Sequence, residues 1–200
     1  MRRFKTNAYK NLDIIFDAEQ RALKIPRDAT IKGIFLLPLV EGLGEDLAKV
    51  WPTLKAPPKG GKYLSFHDYS QADCARLAFA LARKTWPNLP HIEACRRMGR
   101  KDIQNFRNST LGRVTLSLLG DPESTLMKLP DVYRMILNGG GVRAERRNGG
   151  VRLHYEGIGG TLDNLQIGTV EGIVMNYGKD PMIEVEMEAD DRAIFDVTWT

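Results

Sequence analysis

Residues 162–200 constrain the fold more than any other stretch of this 200-residue chain. Ile183, Val185 and Met187 alternate with Glu184, Glu186 and Glu188. Phe195, Val197 and Trp199 alternate with Asp196 and Thr198. A period of two puts successive side chains on opposite faces of a strand, so both runs read as strands with one face buried. Ahead of them, Leu165 to Tyr177 has helical spacing with an amphipathic pattern, and Gly178 ends it. Such a segment closes a core.

A second strand pair lies upstream. Val142–Arg147 and Val151–Glu156 flank Asn148-Gly149-Gly150, a strong short-range hairpin signal. Val151, Leu153 and Tyr155 share one face there, with Arg152, His154 and Glu156 opposite. Everything before the triplet Gly139-Gly140-Gly141 is mainly helical in pattern. The order predicts an α+β fold, with an N-terminal helical half packed on a C-terminal antiparallel sheet built strand–strand–helix–strand–strand. One domain over residues 1–200 is expected, mainly helical over 1–138 and hairpin–helix–hairpin over 139–200. Residues 52–62, rich in proline and glycine, read as an exposed loop.

Within the helical half, Asn11 to Leu23 is helical in spacing and stops at Pro26. Thr30 can cap an element over Ile31 to Leu37, which Pro38 breaks or kinks. Gly44 to Trp51 makes a short helix. Ser70 to Trp86 is a helix whose Ala72, Ala75, Phe79, Ala82 and Trp86 form one stripe. His91 to Met98 and Asp102 to Phe106 read as helices separated at Gly99. Ser109 or Thr110 caps another through Leu119. Glu123 to Leu129 and Asp131 to Leu137 read as two helices divided by Pro130. Gly139 to Gly141 reads as a hinge, and Gly168 with Gly172 as the reason a helix can lie tightly on the sheet.

At 42% hydrophobic and 27% charged, the chain can bury an ordinary core. Its longest apolar run, Ile34 to Val40, is too short to span a bilayer, and no signal-peptide pattern opens the sequence, so a cytoplasmic protein without a membrane partner is expected. The net charge of +4 divides unevenly: residues 1–113 carry +10 and residues 114–200 carry −6. The basic half suits an acidic partner or its own acidic half in a second copy, giving a possible homodimer; no recognition-helix pattern accompanies it, which disfavours nucleic acid. Cys74 and Cys95 are too few and too far apart for a thiolate zinc site and read as buried thiols.

The candidate chemistry is sparse. His67 precedes Asp68 but no nucleophile stands at a motif-like spacing, so it reads as a capping or surface residue. His91 is expected to be solvated at a helix start, and His154 exposed on the polar face of a hairpin strand. Arg100 and Arg113 each follow a glycine, with Asn105, Asn108, Ser109 and Thr110 between them. A guanidinium suits a carboxylate or a phosphate. Each arginine therefore either ties a glycine turn to a neighbouring carboxylate or, with Thr110, binds an anionic ligand. Arg100, Thr110 and Arg113 are the candidate ligand-binding residues; no catalytic or metal-binding set is expected.

Four groups of residues then carry a resemblance. They are Glu19–Pro26 with Ala29-Thr30-Ile31-Lys32-Gly33-Ile34-Phe35; Met98-Gly99-Arg100 with Phe106, Thr110-Leu111-Gly112-Arg113 and Leu116–Gly120; Leu129-Pro130 with Tyr133-Arg134; and Ile167-Gly168-Thr169-Val170-Glu171-Gly172 leading to Phe195-Asp196-Val197-Thr198-Trp199. In this order the chain resembles a family of proteins of unknown function expanded as paralogues in myxobacteria. The pattern is also similar to a wider superfamily of vinyl-4-reductase-type sensor domains, haem–nitric-oxide-binding domains and vesicle-tethering subunits of Golgi transport. The resemblance implies a ligand-binding or interaction module, often dimeric, and no reaction. It also implies what would be needed for cofactors. Haem domains of that superfamily use a histidine ligand and a Tyr-x-Ser-x-Arg motif that grips the propionates; Tyr63-Leu64-Ser65-Phe66-His67 begins like it and lacks the arginine. The zinc-binding members use a cysteine-rich C-terminal strand pair, and no cysteine follows Cys95 here.

The expectation is a non-enzymatic sensory or interaction module without a cofactor, holding a small apolar or anionic ligand between helices and sheet. The ligand pocket is expected among Ile34, Phe35, Phe79, Phe106 and Leu116. The alternative is a scaffold or regulatory subunit acting through protein contacts alone.

Overall fold

The computed structural model describes residues 2–5, 16–108 and 120–200. It has two antiparallel sheets and a helical half, as the α+β expectation requires. Strand β1 (Arg2–Lys5) leads to helix α1 (Ala18–Leu23), whose N-cap Asp17 accepts a 3.0 Å hydrogen bond from the Gln20 amide. That cap sets the start of the helix at Ala18; residues 11–15 of the helix expected from Asn11 lie outside the described residues.

Residues 30–37 depart from a single element. Thr30–Lys32 is strand β2, Gly33–Phe35 is a turn of 3-10 helix, and α2 begins at Leu37 (Leu37–Leu43). Pro38 stands in the first turn of α2, where a missing N–H costs nothing, so it starts a helix instead of breaking one. Helix α3 (Leu47–Val50) follows, then a loop in which Leu54 is buried and Lys55, Lys59 and Lys62 are exposed. Strand β3 (Asp68–Ser70) pairs with β2 and runs directly into α4 (Gln71–Thr85), capped by Ser70.

Helix α5 (His91–Asn108) passes through Gly99 without a break, and α6 (Pro122–Ile136) passes through Pro130. Both were expected to be split. In α6 the buried Leu126, Leu129 and Tyr133 lie on both sides of the proline, and their shared packing outweighs the one backbone bond it removes.

Strand β4 (Leu137–Asn138) completes the small sheet β3-β2-β4. The large sheet has the order β1-β7-β8-β6-β5, with β5 Gly141–Arg147, β6 Gly150–Glu156, β7 Pro181–Met187 and β8 Arg192–Trp199. Its register puts Ile183 opposite Val197 and Val185 opposite Phe195, all buried. On the other face Arg152 stands opposite Asp196 and donates to it at 2.6 and 2.8 Å. Strand β1 covers the β7 edge, with Phe4 opposite Val185.

Helix α7 (Leu165–Met175) joins the two hairpins. It was expected to be amphipathic, yet Ile167, Gly168, Val170, Glu171, Gly172, Ile173 and Val174 are all buried. A helix apolar all round lies inside a protein, and α7 is sandwiched between the large sheet and α5. Buried side chains form two clusters. One joins the sheet, α6 and α7 around Leu153, Ile167 and Phe195; the other joins α2, α4 and α5 around Leu36, Phe79 and Met98.

Candidate functional site at the seam between helices and sheet

The seam between the two clusters is built from glycines and ion pairs. On α5, a Cβ added at Gly99 would come within 3.0 Å of the Leu165 carbonyl oxygen and the Thr169 amide. On α7, a Cβ at Gly168 would come within 3.0 Å of the Arg96 carbonyl oxygen, and one at Gly172 would sit 3.1 Å from Arg100 Cα. The Gly168/Gly172 face was expected against the sheet. It lies instead against α5, because a helix pressed between a sheet and another helix needs small residues where backbone meets backbone. Gly139 and Gly140 likewise act as more than a hinge: their φ angles are 88° and 114°, and a Cβ on Gly140 would strike Gly157.

Charged groups flank this crossing. Arg96 Nε donates to Glu171 Oε2 at 2.8 Å, and a second guanidinium nitrogen also meets that carboxylate. Only 11% of the Arg96 side chain and 4% of that of Glu171 are exposed. Arg100 donates to Glu93 Oε1 at 2.8 Å and stands 3.7 Å from Glu171. Of the three residues expected to bind an anionic ligand, Arg100 thus already faces two carboxylates. Thr110 and Arg113 lie outside the described residues.

A second tie joins α1 to the loop before α7. Arg21 grips Asp163 with two hydrogen bonds, 2.6 and 3.2 Å, and stacks over Phe16 at 4.5 Å. Asn164 donates to Asp163 and to the Gly160 carbonyl, and its side-chain oxygen accepts from the Leu165 amide at 2.7 Å to cap α7. Gly159 and Gly160 admit this docking, since a Cβ on either would collide with the carbonyls of Lys24 and Arg21. Beside this tie opens a cleft of about 510 Å³. Arg21 and Lys24 line it with Asp163, Glu188 and Asp190, and Lys24 meets Asp190 at 3.0 Å across its mouth. Nothing in the spacing of these residues marked them in the sequence; the Gly159-Gly160 pair was the one available signal.

The pocket expected among Ile34, Phe35, Phe79, Phe106 and Leu116 does not form. Phe79 is sealed in the helical core, Ile34 and Phe35 face solvent, Phe106 is half-buried, and Leu116 lies outside the described residues. His91, expected to be solvated, packs at 4.1 Å against the Phe16 ring, and its Nε2 lies 2.8 Å from the Phe79 carbonyl oxygen. Burial lowers its pKa. His67 is exposed, and its carbonyl accepts from the Gly33 amide. His154 is largely covered and lies 3.4 Å from Glu145. Cys95 is buried; the Cys74 thiol is pushed up to about 12 by burial. Among the described residues no group of three or more His, Cys, Asp or Glu could hold a metal ion.

A family described as a protein of unknown function, DUF2378, matches residues 24–200. The chain belongs to this family. No curated protein matches it. Among solved structures, the DUF2378 chain is similar to the Fe(II) unliganded H-NOX protein from K. algicida, with a TM-score of 0.65 and 13% identity over 85% of this chain and 97% of that one. It is also similar to an H-NOX protein from S. oneidensis in the Fe(II)NO ligation state (TM-score 0.60, 16% identity, 85% and 99%) and to a mutant T. tengcongensis H-NOX (0.59, 15%, 84% and 94%). At such identities the likeness is one of fold, and the fold is H-NOX-like.

The haem that the sequence resemblance implies does not fit these residues. His91 is half-buried with its Nε2 against the Phe79 carbonyl, His67 is exposed, and His154 lies beside Glu145 on the polar face of β6. The Tyr-x-Ser-x-Arg motif occurs nowhere in the sequence, and Tyr63-Leu64-Ser65-Phe66-His67, which begins like it, lies in the loop before β3 with His67 in the arginine's place.

Proposed function

We propose that this DUF2378 chain is a non-enzymatic sensory module that reads a small polar ligand without haem. The H-NOX-like fold supports the class, and the cleft beside the Arg21–Asp163 tie supports the place. Its walls carry both signs of charge, so the ligand that suits them is a zwitterion or a small anion with hydrogen-bonding groups. Lys24 and Asp190 are both substantially exposed, so their pair is worth little and opens readily. A ligand with a carboxylate and an ammonium would replace each half of that pair. The observation that carries the reading is the placement of this cleft where α1, the loop before α7 and the β7–β8 turn meet.

The test is a thermal-shift screen with amino acids, dicarboxylates and inorganic phosphate, followed by calorimetry. A ligand at about 100 times its Kd adds about 2.7 kcal/mol, which moves a chain of this size by about 5–10 °C. The reading holds when one class gives such a shift and Lys24→Ala with Asp190→Ala removes it. It falls when no compound shifts the transition at millimolar concentration, or when the shift survives both substitutions.

A further inference from the structure

The loop before β3 lies along the 3-10 turn after β2, pinned by backbone. The Gly33 amide donates to the His67 carbonyl and the Ile34 amide to the Ser65 carbonyl, both at 2.9 Å. The Leu64 amide donates to the Tyr69 hydroxyl at 2.8 Å, and a Cβ on Gly33 would collide with the Leu64 carbonyl. Yet this fixed backbone holds Ile34, Phe35, Leu37, Leu64 and Phe66 out in water, Phe66 at 83% exposure. Contiguous exposed apolar side chains mark an interaction surface.

Its charge surroundings narrow the partner. No Asp or Glu occurs between Asp46 and Asp68, while Lys55, Lys59 and Lys62 are exposed on the approach to Leu64. Among the described residues Lys59 and Lys62 have no ion-pair partner. Glu41 stands one turn beyond Leu37 and Asp68 is paired with Lys32, so the unpaired charge beside Leu64 and Phe66 is basic, and the complement of that side is apolar and anionic at once. A second copy seated by twofold symmetry would set these lysines against each other. A folded partner would want a groove to key into, and a side chain as exposed as Phe66 has almost nothing around it to form one. We propose that this face docks on the surface of an anionic lipid bilayer. Leu64 and Phe66 enter the acyl boundary there, and Lys59 and Lys62 meet headgroup phosphates. The expectation of no membrane partner rested on spanning segments, and no described helix is long and apolar enough to cross a membrane; surface docking needs none.

Co-sedimentation of the full chain with unilamellar vesicles tests this. Vesicles of phosphatidylcholine with about 30% phosphatidylserine should pellet the protein at low salt, and pure phosphatidylcholine should not. Leu64→Ser with Phe66→Ser, and separately Lys59→Glu with Lys62→Glu, should each weaken binding about tenfold or more. Circular dichroism of both variants should match the parent. Failure to bind anionic vesicles at low salt overturns the proposal, as does binding that both variants retain. Binding to poly-glutamate that the same variants abolish, with vesicles left unbound, overturns it in favour of an acidic protein partner.

Discussion

Gly168 of α7 rests against the Arg96 carbonyl of α5 with no space for even a methyl group between them. Gly172, one turn on, has slightly more room, 3.0 Å to Ile103 Cβ. We predict that Gly168→Ala costs about 3 kcal/mol or more, since the Arg96 carbonyl stands where the methyl would go, and Gly172→Ala about 1 kcal/mol, since Ile103 Cβ and the Arg100 backbone at 3.0–3.2 Å need give by only a few tenths of an ångström. Urea denaturation of the two variants checks the order, and equal losses would contradict this account of the crossing.

The Arg96–Glu171 pair spans the same crossing almost out of water. Removing Glu171 leaves Arg96 the longer contact to Glu93 at 3.7 Å in place of its closest carboxylate, so Glu171→Ala should cost about 3 kcal/mol. Replacing both by apolar residues, Arg96→Met with Glu171→Leu, should recover most of that loss. A double-mutant cycle on unfolding free energies measures the coupling. A double variant as unstable as Glu171→Ala would show that the pair itself, beyond the stranded charge, holds the seam.

His91 makes stability depend on pH. Desolvation lowers its pKa below the ordinary 6.5, against the opposing hydrogen bond to Phe79 and with help from Arg83 and Arg21. The unfolded chain therefore takes up the proton first as pH falls. The stability is complete above about pH 6.5 and declines as pH drops through the folded value. Asp102, pushed up to about 7 by desolvation, takes up a proton in the same window and acts in the opposite sense, while Glu19, Asp121 and Glu145, whose pKa values are lowered, stay charged. Comparison with His91→Gln therefore isolates the histidine: between pH 7.5 and 5.5 the urea midpoint of the parent should fall more, or rise less, than that of the variant.

Haem should not load. Adding hemin to the purified chain is expected to leave the spectrum of free hemin, with no histidine-ligated Soret band. His91→Ala should not change that outcome. A stoichiometric Soret band that disappears in His91→Ala would show that the helical core opens to receive the group.

The sheet was legible because a strand buried on one face writes a period of two, and Ile183, Val185, Phe195 and Val197 follow it without exception. Helix α4 was legible through its alanine stripe and its Ser70 cap. The small sheet was not: β2 and β3 have three residues each and β4 has two, too short to show any period. Gly99 and Pro130 read as breaks because local propensity says so, while packing with α7 and with the sheet carries both helices through. The site was the least legible part. Arg100 stood out by following a glycine, but Arg21, Lys24, Asp163 and Asp190 meet only because α1 docks on Gly159 and Gly160. No spacing along the chain foretells a contact between residues 21 and 163.

Asp163 serves two masters. The same carboxylate anchors Arg21 at the cleft and steadies Asn164, the residue from which α7 hangs. A shift at the cleft wall therefore arrives at a helix that leans on both interiors of the molecule. Occupancy of a shallow opening at the rim would be felt as a tug on the central axle.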